Sequence, residues 1–198
     1  MQDRLSHINK LVNKEVEMLS IKRLSGLCLM LAVFAGLSGC ASYEYQSQVT
    51  LGGTMPEARG QSLEGEMVSM PKDFAGEQTL LLFGYVQDSQ FDIDRWLIGL
   101  DMTGTKVGVY EIPTIKGMLP RMFKTVIDGG MRKGIPKELW KGVVTVYEDG
   151  DKVQRFTGNQ NPNNARVMLL DSDGKILYFY DRGFSVDALN AVKALVKS

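Results

Sequence analysis

The stretch "TLLLFGYVQDSQFDIDRWLIGL", Thr79 to Leu100, decides how this chain is read. Its first seven residues form a continuous apolar run of strand length, the pattern of a strand covered on both faces. A polar break follows at Val86 to Gln90. The second half then places Phe91, Trp96, Leu97 and Leu100 at helical spacing. A buried strand that feeds directly into a helix is the opening unit of an α/β domain.

Reading outward, the same alternation continues. "GEMVSMP" (Gly65 to Pro71) reads as a short leading strand, and "KVGVYEI" (Lys106 to Ile112) as a second core strand ended by Pro113. "LPRMFKTVIDGGMRKG" opens a helix at Pro120 and closes on glycines. "GVVTVYED" (Gly142 to Asp149) is a β-branched third strand. "ARVMLLDSDGKILYFYD" is a hairpin turning at Asp173-Gly174. "SVDALNAVKALV" starts from an N-cap at Ser185 and sets Val186, Leu189, Val192 and Leu195 along one stripe. The order predicts an α/β fold, a mixed sheet flanked by helices, over residues 61–198.

The N-terminal part reads as an address. Lys22 and Arg23 precede an uncharged run of 16 residues, Leu24 to Gly39, somewhat short for a spanning helix. The run ends in "LSGC" (Leu37 to Cys40), which resembles the bacterial lipoprotein box. That resemblance implies cleavage before Cys40 and acylation of its thiol, palmitate included. Residues 1–39 are then a signal region, with translation expected to begin at Met18 and residues 1–17 left untranslated. Residues 40–60 are a lipidated polar tether, reaching about 25 Å on average if flexible. Ala41 follows the cysteine where an aspartate would resemble an inner-membrane retention signal. The expected location is therefore the outer membrane, facing the periplasm.

Removing the first 39 of 198 residues leaves 159, with 18 basic and 20 acidic side chains. No Lys/Arg-rich run marks a docking patch, and the balance gives no reason to expect nucleic acid. Cys28, Cys40 and the one histidine, His7, all lie within the first 40 residues. With Cys40 lipidated, the remaining chain has no thiolate for disulfide exchange or peroxide reduction.

The strand and helix order resembles the thioredoxin-like superfamily, and the closing hairpin and helix look like its peroxiredoxin-related branch. More narrowly, "VYEIP" (Val109 to Pro113), "GMRKGIP" (Gly130 to Pro136), "VTVYED" (Val144 to Asp149) and the hairpin are similar to the mitochondrial ATP synthase assembly factor family. That similarity implies a thioredoxin-like domain acting in protein assembly. Two features of redox-active relatives are missing. The junction after Tyr85 carries Asp88, Ser89, Asp92 and Asp94 in place of a thiol pair. The position six residues before Asp171, where such relatives carry a cis-proline, is Ala165.

Three groups of residues are candidates for function. Asp88, Asp92 and Asp94 with Ser89 offer oxygen ligands suited to a hard cation, against helix capping as the ordinary explanation. "GGMRKGIPKELWKG" (Gly129 to Gly142) offers Met131, Arg132 and Trp140 as contact residues, against packing beneath their own loop. "NQNPNNAR" (Asn159 to Arg166) offers Asn161 and Asn163 as amides for a peptide backbone, against turn chemistry. "DSDG" (Asp171 to Gly174) lacks the later bidentate acid of a calcium loop and reads as a turn.

The expectation is a membrane-anchored envelope protein whose redox-inactive domain binds or assembles another protein, without enzymatic activity. Its face would join Asp88 and Phe91 to Asn161 and Asn163, with Met131, Arg132 and Trp140 adjacent. No cofactor or metal enters this reading. The alternative is a carboxylate- or metal-dependent envelope enzyme using the same groove.

Overall fold

The computed structural model describes Tyr43 and residues 45–117, 120 and 122–197. The signal region, Cys28, Cys40 and His7 lie outside the described residues. The chain divides into Met1–Ala41 and Ser42–Ser198, and both hydrophobic clusters of the fold lie in the second unit. Among the described residues no helix is long and apolar enough to cross a membrane.

The order is β1 (Ala58–Ser62), β2 (Met67–Met70), β3 (Thr79–Gly84), α1 (Gln90–Met102), β4 (Gly108–Pro113), α2 (Lys124–Gly134), β5 (Val144–Thr145), α3 (Gly150–Thr157), β6 (Arg166–Leu170), β7 (Ile176–Tyr180) and α4 (Val186–Leu195). The main sheet runs β4-β3-β6-β7, with β3 parallel to β4 and antiparallel to β6. A smaller sheet, β2-β1-β5, stands beside it.

Every residue of β3 is buried, because helices cover one face and the small sheet the other. Leu81 and Phe83 pack with Ile112, Met168 and Ile176 on the small-sheet side. Leu80 and Leu82 pack with Ile93, Trp96, Leu189 and Val192 under α1 and α4. Each such side chain, fully withdrawn from water, contributes about 1.5–3 kcal/mol gross. Helix α4 begins at Ser185, whose hydroxyl accepts from the Ala188 N–H at 3.1 Å. Asp171 closes the β6–β7 turn, its Oδ1 accepting from the amides of Asp173 and Lys175.

Four features depart from the expectation. Phe91 lies outside the core at 69% exposure, and the buried stripe of α1 is Ile93, Trp96 and Leu100. The third predicted strand shrinks to Val144–Thr145; it pairs with β1 and touches β4 only through isolated bridges at Glu111–Val143 and Thr114–Val146. Helix α3 has no counterpart in the sequence reading, because its buried side includes Gln154 and Thr157 rather than an apolar stripe.

The fourth concerns residues 45–60, within the stretch read as a tether. They run as a strap against the domain. The Tyr45 N–H donates to the Asn159 side-chain Oδ1 and its carbonyl accepts from the Asn159 N–H, Gln48 donates to Phe156 O, and Gly52 and Gly53 pair with Ile176. Met55 and Ala58 are buried. Gly158, at φ +77°, lets the strap pass: a Cβ there would stand 2.6 Å from the Ser47 amide nitrogen.

Candidate functional site

The site begins where β3 ends. Gly84 passes into Tyr85 and Val86, a short 3-10 turn covers Gln87–Ser89, and α1 starts at Gln90. Opposite, the loop Gly158–Ala165 leads into β6, whose first residue, Arg166, pairs in register with Phe83. The parallel and antiparallel pairings of β3 therefore bring the two segments to one end of the sheet. Asp88 and Phe91 are exposed on the first segment and Asn161 and Asn163 on the second, the two sides of the groove expected from the sequence.

Asp92 is what joins the two sides. It is buried at 5% exposure. Its Oδ2 accepts from the Ala165 N–H at 2.8 Å and its Oδ1 from the Phe184 N–H at 2.7 Å. A proline at position 165 would have no N–H to give, so alanine here keeps a hydrogen bond that proline could not make. Among the described residues the one cis peptide is Met70–Pro71, away from this loop.

Beneath the groove lies a polar layer that the sequence did not announce. Arg166 is 2% exposed; its Nε donates to Gly158 O at 2.9 Å and its Nη1 to Asn161 O and Asn164 O, each at 2.6 Å. Its guanidinium carbon sits 4.6 Å from the centre of the Tyr85 ring. The Tyr85 hydroxyl hydrogen-bonds Thr157. Burial pushes the Tyr85 phenol up to about 12, partly offset by the Arg166 charge. A buried cation satisfied by carbonyl oxygens and an aromatic face pins the loop in shape. Next to it Asn159 Nδ2 donates to Gln154 Oε1, and Gln154 Nε2 to Thr114 O.

The acidic residues do not converge. Asp92 points inward to its two amides, while Asp88 and Asp94 are exposed. Asp94 accepts from Gln90, which also donates to Glu111 at 3.0 Å. Burial raises the Glu111 carboxyl above its ordinary value. Neither Ser89 nor Asp88 caps α1 through a side-chain hydrogen bond; the Ser89 hydroxyl donates back to Val86 O. Among the described residues no group of three or more His, Cys, Asp or Glu could hold a metal ion.

Met131, Arg132 and Trp140 are not adjacent to this groove. Arg132 Nε donates to Leu63 O at 2.8 Å and stands 5.7 Å from the Trp140 ring, and Trp140 Nε1 donates to Ile135 O. Leu63 follows β1 in the small sheet, beyond β4, whereas the Asn159–Arg166 loop enters β6 on the other side of β3. Met131, Arg132 and Trp140 are half-buried. A separate cleft of about 540 Å³ lies between the strap and α3, lined by Gln48, Met55, Pro56, Arg155 and Phe156.

No protein-family model matches the chain, and no curated protein matches it in sequence. Solved structures do. The thioredoxin domain of a thiol-disulfide oxidoreductase from Bacteroides vulgatus is 21% identical, with a TM-score of 0.53 over 76% of this chain and 100% of its own. A thiol peroxidase from Chromobacterium violaceum is 11% identical, with a TM-score of 0.50 over 79% of this chain and 92% of its own. An exposed lipoprotein thioredoxin from Streptococcus pneumoniae is 12% identical, at 0.49 over 71% and 100%.

These comparisons correct the expectation that the chain is not an enzyme. The structures it matches are an oxidoreductase domain and a peroxidase, so the scaffold is one that carries catalysis. At these identities they establish the fold of this chain and not its reaction. The fold is thioredoxin-like: a four-stranded mixed sheet, α1 and α4 on one face, and the strand-to-helix junction at Tyr85–Gln90 meeting the loop before β6.

Proposed function

We propose that this protein is anchored in the bacterial envelope through lipid on Cys40, at the outer membrane facing the periplasm. There its thioredoxin-like domain binds or helps assemble another envelope protein. The binding face is the groove between Asp88–Phe91 and Asn161–Asn163. The observation that carries this reading is the junction itself. Where a thiol pair would sit, the chain has Asp88, Ser89 and an exposed Phe91, facing a loop held rigid by the buried Arg166. No cysteine follows Cys40, so the groove has no thiol of its own.

Such a surface suits a polypeptide. Phe91 supplies an aromatic anchor, Asn161 and Asn163 supply amides that both donate and accept, and pinning of the loop lowers the ordering cost of binding. The similarity of "VYEIP" and "VTVYED" to assembly factors favours an assembly role within this reading. The residues Met131, Arg132 and Trp140 fall outside the groove.

Site-specific photo-crosslinking in intact cells tests it. A photoreactive residue at Phe91 or Asn161 is expected to capture one envelope protein, and the same residue at Lys193 to capture none. Recovery of the uncrosslinked chain from both groove positions would refute the reading. Mass analysis of the membrane-extracted protein is expected to show an acylated N-terminal Cys40.

A further inference from the structure

We propose that the face formed by residues 122–142 docks on a bilayer surface carrying anionic headgroups. The reading of Cys40 as a lipid anchor supplies the reason a bilayer is within reach, but the docking face stands on its own observations.

The first is charge. Residues 122–142 hold five Lys or Arg and two acids, whereas the rest of residues 40–198 holds 13 basic and 18 acidic side chains. One of the two acids, Asp128, is buried and accepts from the Tyr147 hydroxyl at 2.7 Å, leaving Glu138 as the exposed acid of this stretch. Lys124, Lys133, Lys137 and Lys141 are exposed, and none joins the ion pairs among the described residues. No run of basic residues appears in the sequence. The charges are spread along α2 and the 3-10 turn after it, Lys137–Gly142, with Lys133 on the outer side of the helix and Lys124 about 180° from it.

The second is apolar exposure on the same element. Met122, Phe123 and Val126 are 72%, 56% and 71% exposed, and Leu139 in the following turn is 57% exposed. At 100° per residue, Phe123, Val126, Gly130 and Lys133 fall on one outer side of the helix, opposite the buried Asp128. Large apolar side chains interleaved with lysines are what an interfacial element presents to headgroups and acyl boundary. The outer side of α1 also exposes Phe91, Ile98 and Met102, but Asp88, Asp94 and Asp101 are exposed along it, and an anionic surface would repel them. The 122–142 face, unlike the outer side of α1, combines exposed apolar side chains with a basic excess.

The third is the strap. Tyr45 lies between Lys116 and Arg155, at 4.5 and 4.3 Å from its ring centre, and its hydroxyl donates to Asp151. Tyr45 lies five positions after Cys40, a reach of at most about 18 Å. Tyr147, whose hydroxyl also reaches Lys124 O, lies four residues before Asp151. The strap and the first turn of α2 thus flank one short segment, and an anchor at Cys40 would bring that side of the domain toward the lipid.

The test uses the unit 42–198, which carries both core clusters and lacks the anchor, in flotation with vesicles. One set is phosphatidylcholine alone; the other contains phosphatidylglycerol. Binding is expected to the second set only, and to be reversed by high salt. Each lysine strengthens association with an anionic surface roughly fivefold, so K133Q/K137Q/K141Q is expected to lose about 100-fold. Val126→Ser is expected to lose about tenfold by removing apolar area, and Ile98→Ser on α1 to change nothing. Equal binding to both vesicle sets, or full binding by the triple variant, would overturn the proposal. Binding to polyglutamate but to neither vesicle set would also overturn it, making this face a protein site. Groove crosslinking at Phe91 succeeds or fails independently of these outcomes.

Discussion

Replacing Asp92 by alanine is the sharpest test of how this site is built. The carboxylate accepts two backbone amides, Ala165 N–H and Phe184 N–H, in a place with 5% exposure. Asp92→Ala leaves both donors without a partner, and water has little access to replace it. An orphaned buried group costs about 1–3 kcal/mol, so the pair should cost about 2–6 kcal/mol, with about 4 kcal/mol as the central expectation. For a unit of this size that is a fall in Tm of roughly 8–16 °C. Asp92→Asn keeps one acceptor oxygen but turns an NH2 group toward the second amide, so it should lose at least half as much. Asp88→Ala and Asp94→Ala, both exposed, should stay within about 0.5 kcal/mol. The assay is equilibrium urea unfolding, with the slope checked for constancy. A change below about 0.5 kcal/mol in Asp92→Ala would refute the amide-holding role. So would stabilisation of the parent by calcium or magnesium that Asp92→Asn abolished, since that outcome belongs to a cation site.

Three further outcomes follow from the groove and strap. Arg166→Met should cost about 2–4 kcal/mol and speed hydrogen exchange across 158–165, because three loop carbonyls lose a charged donor; unchanged exchange there would sink the pinning argument. Tyr85 should stay neutral well above the range of an ordinary phenol and titrate at about 12, measured as the ultraviolet difference between the parent and Tyr85→Phe; a midpoint near 10 would count against its burial. Because folding favours the neutral phenol, its contribution to stability is full below about pH 10 and is lost as pH rises toward 12. Tyr45→Ala should release the strap, costing about 1–2 kcal/mol and opening residues 45–56 to limited proteolysis, whereas an uncut strap would show that the hydrogen bonds of the residue-45 backbone with Asn159 suffice.

The main sheet was legible because its strands are extreme in composition. A run such as Leu80–Phe83 has no option but burial on both faces, and the Asp173-Gly174 turn and the Ser185 cap carry their own local chemistry. Strand β1 was not legible, since "ARGQS" has neither alternation nor bulk and forms only because β2 and β5 offer it partners. Helix α3 stayed hidden for a related reason: Gln154, Thr157 and Asn159 are buried through hydrogen bonds that exist only once Thr114, Tyr85 and Tyr45 surround them.

The same division runs through the site. Sequence alone determined that no thiol follows Cys40, that a buried strand feeds a helix at Tyr85–Gln90, and that exposed polar groups line the loop before β6. Those are matters of residue identity and local propensity, which act over a few positions. Only the tertiary structure decided that Asp92 faces inward to two amides, that Arg166 is locked under Tyr85, and that Trp140 stands beyond β4 rather than at the groove. It also decided that Phe123, Val126 and Lys133 share the outer side of α2. Each of the first three depends on groups tens of residues apart being brought within hydrogen-bond or ring-contact distance, and a linear pattern carries no record of that distance.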